Sequence, residues 1–167
     1  MVTIYEYVID LAIEIEDLMN TLYGLLVDKC ESRNVRAILR YIMTDNSKHM
    51  NVLNELKEEL TEAIKSSSRL INKLKNLRND LVNTKKLLIE LVKKAKSGEF
   101  PCTPETLSNY LIELERMESI TYNFYRFVIN MLPEKNKVVE ALLNYIIEDE
   151  EKHHELLKLS INSLSSS

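Results

Sequence analysis

The stretch IIEDEEKHHELL, which runs from Ile146 to Leu157, carries an acid and an imidazole inside an otherwise ordinary amphipathic helix pattern. Residues three apart on a helix share a face, so Glu150 and His153 are expected to lie together. A buried helix face gains no stability from two ionisable groups that lack partners. The pair therefore raises the question of whether the rest of the chain supplies partners for it.

An earlier segment of the chain repeats this pattern. When YIMTDNSKHMNVL (Tyr41 to Leu53) is aligned without gaps with YIIEDEEKHHELL (Tyr145 to Leu157), the Tyr, Ile, Asp, Lys, His and Leu positions coincide. The earlier segment therefore supplies a second histidine, His49, in the position of His153.

A further pair of matches precedes each of these segments. Glu16 and Tyr23 are seven residues apart, as are Glu118 and Tyr125, which places each acid and its tyrosine two turns apart on one helix face. The glutamate precedes the histidine by 33 residues in the first half and by 35 in the second. Together these matches indicate an internal repeat of a helical hairpin.

Capping and turn residues predict long helices. Only two Gly and three Pro occur in 167 residues, which favours few, long elements. Each repeat then contributes two helices, and the fourth reaches at least Leu157. The predicted boundaries are a capping box at Thr3 and Glu6, an end near Lys29, a cap at Ser32, a cap with proline at Thr103 and Pro104, and a separation at Pro133.

The segment between the two repeats allows two interpretations. Apolar residues continue at spacings of three and four from the second helix through Ala95. A single helix over 33–97 would be about 98 Å long at 1.5 Å per residue and would need a partner chain to cover its apolar stripe. We favour a break at Ser66 to Ser68, because serine is a poor helix former and a good cap. The result is an extra helix over 65–97, from about Arg69, and a coiled-coil arm is the alternative.

These features resemble the ferritin-like superfamily, and within it the rubrerythrin branch without its rubredoxin domain. The resemblance covers about four-fifths of the chain, by the extent of the predicted bundle helices. It implies an all-α fold: a four-helix bundle made of two helical hairpins, with a long crossover helix between the second and third bundle helices. We expect residues 1–167 to form one such domain.

The resemblance also implies a metal site between the four helices, where two helices give one Glu each and two give Glu-x-x-His. The expected cofactor is iron, as a di-iron or single site, with manganese or zinc possible. The family reduces oxygen or peroxide or handles iron, and an electron donor would be external. Glu115 matches an additional carboxylate of the family. The residues that match metal ligands are Glu16, His49, Glu118, Glu150 and His153.

The second helix departs from the family pattern. Asn46 stands where that helix should offer a glutamate that bridges two ions, and a neutral amide is a weak, poorly bridging ligand. Asp45 is adjacent, but one residue along a helix turns a side chain by about 100°. We therefore expect any ion to favour the side of the site formed by Glu118, Glu150 and His153.

Charge and composition support an alternative of another class. Residues 65–96 carry ten Lys or Arg and two acids, a balance of +8, in a chain whose net charge is −4. The alternative is a metal-free ferritin-like bundle that acts as a structural or binding protein through this basic helix. No aromatic residue interrupts the segment, which disfavours nucleic acid. We expect a homo-dimer or higher homo-oligomer.

The termini and cysteines give further expectations. The sequence contains no signal-peptide pattern and no apolar run of membrane-spanning length, so we expect a cytoplasmic protein. With a crossover between the repeats, Cys30 and Cys102 should lie at the same end of the bundle. A permanent disulfide between them is not expected in a cytosolic protein.

Overall fold

The described residues of this computed structural model are 3–66, 71–98, 103–132 and 136–165, and the side chains of residues 71 and 72 are not described. Within these ranges the chain is all-helical. The six helices are α1 (Ile4–Lys29), α2 (Arg33–Glu55), α3 (Lys57–Ser66), α4 (Ile71–Lys96), α5 (Pro104–Ile129) and α6 (Lys137–Ser165).

The predicted helix starts are confirmed. At the start of α1, the Thr3 hydroxyl accepts a hydrogen bond from the Glu6 amide at 3.2 Å, and the Glu6 carboxylate accepts one from the Thr3 amide at 2.7 Å. Ser32 caps α2 through its hydroxyl, and Thr103 caps α5 with Pro104 as the first helical residue. These caps satisfy amides that the helix itself cannot pair.

Each repeat forms an antiparallel pair of helices. In the first, Asn20 of α1 donates to Ser47 of α2 at 2.9 Å, while Asp10 of α1 meets Lys57 just after α2 at 2.5 Å. In the second, Tyr122 and Glu115 of α5 meet Glu151 and His154 of α6, at 3.1 and 3.0 Å. In both pairs, residues later in one helix meet residues earlier in the other, so the helices run in opposite directions.

Helix α4 runs back along α1. Lys85 of α4 lies 2.5 Å from Glu14 of α1, and Lys29 at the end of α1 donates to the carbonyl of Ala95 at 2.7 Å. These contacts make α4 parallel to α1, whereas α2 is antiparallel to it. One straight helix cannot lie along α1 in both directions, so the interpretation of 33–97 as a single helix is wrong. Helix α3 ends at Ser66 and α4 begins at Ile71, and the predicted break at the serines lies largely outside the described residues.

A small interruption at Leu56 was not predicted. It separates α2 from α3, with φ −93° and ψ 3° at Leu56. The backbone hydrogen bonds from Leu56 to Val52 and from Leu60 to Leu56 remain at 3.0 Å, so the helix path continues across this turn. No Gly or Pro marks the position, and no local sequence signal could have indicated it.

The two faces of α4 have opposite character. Leu74, Leu81 and Leu88 are buried in the common core with residues of α1 and α5. The exposed positions are polar and mostly basic: Asp80 and Glu90 are the exposed acids among the described side chains of α4. The exposed lysines are Lys73, Lys75, Lys86, Lys93, Lys94 and Lys96. The basic segment therefore covers the bundle with its apolar stripe and presents its lysines outward. Among the described residues, no helix is both long enough and apolar enough to cross a membrane.

Of the two cysteines, Cys30 lies within the described residues and Cys102 does not. Cys30 is buried directly after α1, and the contact between Lys29 and Ala95 brings the ends of α1 and α4 together. Cys102 and the turn at Pro133 lie outside the described residues. The proximity of the two cysteines therefore remains a prediction.

Because α4 packs on its own chain, truncating its fully buried leucines should destabilise a single subunit. We expect Leu81→Ala and Leu88→Ala each to lower the free energy of unfolding by about 2–5 kcal/mol. Urea unfolding followed by circular dichroism measures this, with the exposed Leu159→Ala as the matched control. If α4 were instead an arm covered by a partner chain, the loss would depend strongly on protein concentration.

Candidate metal centre

The five predicted site residues are brought together in the interior. They come from four helices, and each side chain is at most 2% exposed. Helices α1, α2 and α5 contribute one residue each, and α6 contributes two. The residues are Glu16, His49, Glu118, Glu150 and His153.

Two groups of three residues have ligand geometry. Glu16, His49 and Glu150 form one group, and Glu118, Glu150 and His153 form the other. Within each group the candidate ligand atoms all lie within 4.8 Å of one another. Glu150 belongs to both groups, so its carboxylate stands between two possible ion positions. The geometry does not single out the second group, which we had expected to be favoured.

Two tyrosines hold the outer oxygens of two carboxylates. Tyr23 of α1 donates to Glu118 of α5, and Tyr125 of α5 donates to Glu16 of α1, each at 2.5 Å. Burial and the neighbouring carboxylates raise the pKa of both phenols well above the usual value, so both remain protonated donors. The other oxygen of each carboxylate is buried without a hydrogen-bond partner in the described structure.

Glu150 also has one carboxylate oxygen that is hydrogen-bonded and one that is not. Its Oε2 accepts from the Thr121 hydroxyl at 3.0 Å, whereas Oε1 is buried without a hydrogen-bond partner. Nδ1 of His49 lies 3.2 Å from Oε1. All three carboxylates are thus fixed by one oxygen and present the other to the interior of the cluster.

The histidines are oriented by acids on the opposite repeat. His49 turns Nδ1 into the cluster and places Nε2 3.6 Å from Asp149. His153 turns Nδ1 towards Glu118 at 3.5 Å and places Nε2 3.4 Å from Asp45. In metal sites, a carboxylate beside one ring nitrogen of a histidine fixes the orientation of the imidazole, and the other nitrogen binds the metal. Here the aspartates lie beside Nε2, and Nδ1 is the nitrogen that faces the cluster.

Asp45 and Asp149, which lie beside the histidines, each form an ion pair with an exposed lysine. Asp45 pairs with Lys48 at 2.6 Å, and Asp149 pairs with Lys152 at 3.0 Å. Burial would raise the pKa of Asp45, but Lys48 and His153 more than offset this and lower it, so this acid stays ionised behind its histidine.

Sequence reasoning missed the roles of these acids. Asp45 was considered only as a substitute ligand, and Asp149 and Thr121 were not considered at all. A signal existed, because aspartate occurs four residues before the histidine in both repeats. Asp and Lys are among the coincident positions of the alignment, and their recurrence could have indicated the support of the histidines.

Asn46 is fully buried at the α2 position equivalent to Glu150 in α6. Neither its amide nitrogen nor its amide oxygen has a hydrogen-bond partner among the described residues. A buried unsatisfied amide costs about 1–3 kcal/mol. The repeat symmetry of the site is therefore broken here, with a neutral unsatisfied group in place of an acid.

Glu115 does not join the cluster. Its carboxylate meets Nδ1 of His154 at 3.0 Å and Lys158 at 3.8 Å, on the outer side of α5 and α6. His154 is half-buried, as expected for a neighbour of the site rather than a member.

The charges of the cluster are partly compensated by protons. Burial raises the pKa of Glu150 well above its usual value, and the charges of Glu118 and Glu16 raise it further. Burial opposes ionisation of Glu118 as well, but its contact with His153 outweighs this and lowers the pKa. Both His49 and His153 have raised pKa values, because the surrounding carboxylates outweigh the effect of burial.

The residues fit a metal ion by donor type and orientation. Buried Glu and His groups of this kind could hold one, and the inward atoms without hydrogen-bond partners are carboxylate oxygens and imidazole nitrogens. This donor set suits iron, manganese or zinc. An ion would satisfy atoms that the protein leaves unpaired.

The pKa directions predict how the metal-free protein responds to pH. The pKa values of His49, His153 and Glu150 are raised in the folded protein. The stability that each group contributes is therefore fully present below its pKa in the unfolded chain, which is 6.5 for histidine and 4.5 for glutamate. That contribution is lost as the pH rises through the pKa of the folded state. The lowered value of Glu118 gives stability that is present above 4.5 and lost towards acid. In chelator, urea unfolding should therefore show stability that is greatest near pH 4.5, falls above it as the Glu150 contribution is lost, and falls further above pH 6.5 as the histidine contributions are lost.

His153→Gln should flatten the alkaline decline in stability, whereas His154→Gln, a matched change outside the cluster, should preserve it. Stability that rises steadily from pH 6.5 to 8.5 in chelator would contradict the assignment of protons to the cluster.

Comparison of the chain with protein-family models, with curated proteins and with solved structures found no match in any of the three. Its function is therefore inferred from the arrangement of the buried acids and histidines and from the helices that hold them.

Proposed function

We propose that this chain is a ferritin-like, rubrerythrin-like metal-binding protein. Its buried carboxylate–histidine cluster would hold iron or manganese, with zinc as a non-redox occupant. A single observation carries this proposal: each of the five residues turns at least one buried ligand atom inward without a hydrogen-bond partner. The three glutamates and His153 are hydrogen-bonded through their other polar atom, and Nε2 of His49 lies 3.6 Å from Asp149. Unpaired buried ligand atoms are costly without a cation or proton to compensate them.

The helix directions support the ferritin-like part of the proposal. In that arrangement two antiparallel hairpins pack together, and a long connection crosses the bundle between them. Here α1 with α2 and α5 with α6 are the antiparallel pairs, and α4 returns along α1. Each of the four bundle helices contributes to the cluster, and α4 contributes nothing.

The proposed chemistry is the reduction of oxygen or peroxide, or the handling of iron. Bound iron would supply the electrons and the coordination for the oxidant. The protein residues would keep the ligands in place: Tyr23 and Tyr125 hold two carboxylates, and Asp45 and Asp149 orient the imidazoles. We propose a homo-oligomer supplied by an external electron donor.

A metal-free binding protein is the second candidate. The observation that favours it is the compensation of charge by protons, with the pKa of Glu150 raised by burial and Glu118 paired to His153 at 3.5 Å. Its interaction surface would be the exposed lysines of α4. On this reading the cluster is a protonated hydrogen-bonded network, and added divalent ions should not bind there.

Metal binding distinguishes the two candidates. Protein purified without chelator should contain iron or manganese by elemental analysis, and the chelated protein should bind Mn²⁺ or Co²⁺ in a titration. We expect His153→Gln or Glu150→Gln to weaken binding by 10–100-fold or more, the range that follows even from loss of a supporting residue. His154→Gln should bind like wild type.

Indistinguishable titrations of His153→Gln and wild type would contradict the proposed site. Absence of binding by the wild-type protein would favour the metal-free candidate. Because both variants remove buried groups, circular dichroism should first show that each is folded.

Asn46→Glu should add a fourth glutamate to the cluster, at the α2 position equivalent to Glu150. We expect tighter ion binding at the Glu16 and His49 position, and lower stability in chelator because a further buried carboxylate then lacks a cation. Asn46→Gln is the matched control, since it has the same length without the charge. Calorimetric titration and thermal unfolding with and without metal measure both effects, and equal binding by the two variants would contradict a missing ligand at position 46.

A further inference from the structure

A cleft between α5 and α6 leads from the surface to the cluster. Its volume is about 290 Å³. Its inner end is formed by residues of the cluster itself and its outer end by exposed acids of α6. The residues that matter are Glu118 and Glu150 at the inner end, Ser119 and Tyr122 along the side, and Glu151 and Glu155 at the mouth.

The inner end of the cleft carries unpaired ligand atoms. Glu118 and Glu150 are each 1% exposed, and Oε2 of the first and Oε1 of the second have no hydrogen-bond partner among the described residues. The cleft therefore ends on two residues that each carry an unpaired ligand oxygen.

The described lining of the cleft is rich in acidic residues. Of its described lining residues, four are glutamates, one is the imidazole of His154, and none is lysine or arginine. A cleft lined by one sign of charge between low-dielectric walls concentrates counter-ions and accelerates their association. The cleft is therefore suited to a small cation.

The opposite side of the cluster has its acids paired with lysines. Behind the histidines, between α2 and α6, Asp45 and Asp149 are covered by the ammonium groups of Lys48 and Lys152, at 2.6 and 3.0 Å. A cation approaching from that side would meet two ion pairs whose lysines are the more exposed members. Of these two sides, only the α5–α6 side presents carboxylates both at the surface and at the cluster.

The mouth of the cleft is ordered by one hydrogen bond. Tyr122 donates to Glu151 at 3.1 Å, directly beside the buried pair formed by Thr121 and Glu150. Glu151 is thereby held at the cleft, one residue after the cluster residue Glu150.

From these observations we propose that the α5–α6 cleft is the route by which a divalent cation enters and leaves the cluster. This inference rests on the metal site proposed above. Glu151 and Glu155 attract the ion at the mouth, and Glu118 and Glu150 receive it at the inner end. Ser119 lies along the route, and its small side chain leaves the cleft open.

Stopped-flow measurement with Co²⁺ tests the route, because its visible absorption changes when carboxylates and imidazoles bind it. We expect the double variant Glu151→Gln, Glu155→Gln to associate about ten-fold more slowly at low ionic strength and to approach wild type at high salt. The matched control is Glu58→Gln, Glu59→Gln, which removes the same charge from exposed positions on α3. It should associate like wild type.

A steric variant gives an independent readout. Ser119→Leu should slow association and dissociation of Co²⁺ by the same factor, about ten-fold or more, and leave the equilibrium affinity unchanged. Ser119→Ala, the matched control, should leave both rates unchanged. A merely structural effect on the cluster would change the affinity instead.

The outcomes separate this inference from the proposed function. If wild-type protein binds no Co²⁺, both the metal site and its route are wrong. If it binds with rates that neither the mouth variant nor Ser119→Leu alters relative to its control, the route is refuted while the site stands. Should Ser119→Leu fail to fold by circular dichroism, the surface double variant, which disturbs no buried group, decides the question.

Discussion

The burial of three carboxylates and two imidazoles at one point is the constraint on which the rest of this structure depends. Removing an ion from water costs several kcal/mol even after relaxation, and a charged hydrogen bond returns only about 1.5–3 kcal/mol. One hydrogen bond to each carboxylate therefore cannot compensate the cluster. The unpaired oxygens of Glu16, Glu118 and Glu150 mark the remaining deficit, which a cation or a proton must supply.

The groups that hold the cluster join one repeat to the other. Tyr23 of the first repeat holds an acid of the second, Tyr125 of the second holds an acid of the first, and the two histidine–aspartate contacts cross in the same way. Within the second hairpin Thr121 holds Glu150, but neither hairpin satisfies all of its own buried polar groups. Partners for these groups therefore come from the assembled pair of hairpins, and the polar centre specifies their register as well as the site.

The sequence predicted what is local or repeated, and it failed where a neighbouring helix decides. Caps and the helical spacing of Glu16 and Tyr23 need no tertiary information, and the repeat related four helices before any contact was known. Asp45 was misjudged because a rotation of 100° was considered on an isolated helix. In the structure that rotation carries the side chain towards α6, where His153 lies. The interruption at Leu56 has no local signal, since the same backbone hydrogen bonds continue through it.

The loss of symmetry at Asn46 coincides with the asymmetry of charge around the cluster. On the α5–α6 side the acids Glu118 and Glu150 are complete and face a negative cleft. On the α2 side the equivalent acid is a neutral amide, and the supporting aspartates are covered by lysines. Glu150, whose pKa burial and neighbouring acids raise, is the carboxylate common to both ligand groups and to the cleft. The raised pKa favours the protonated form of Glu150 in the metal-free state, so a proton and a cation bound as proposed would compete for this carboxylate.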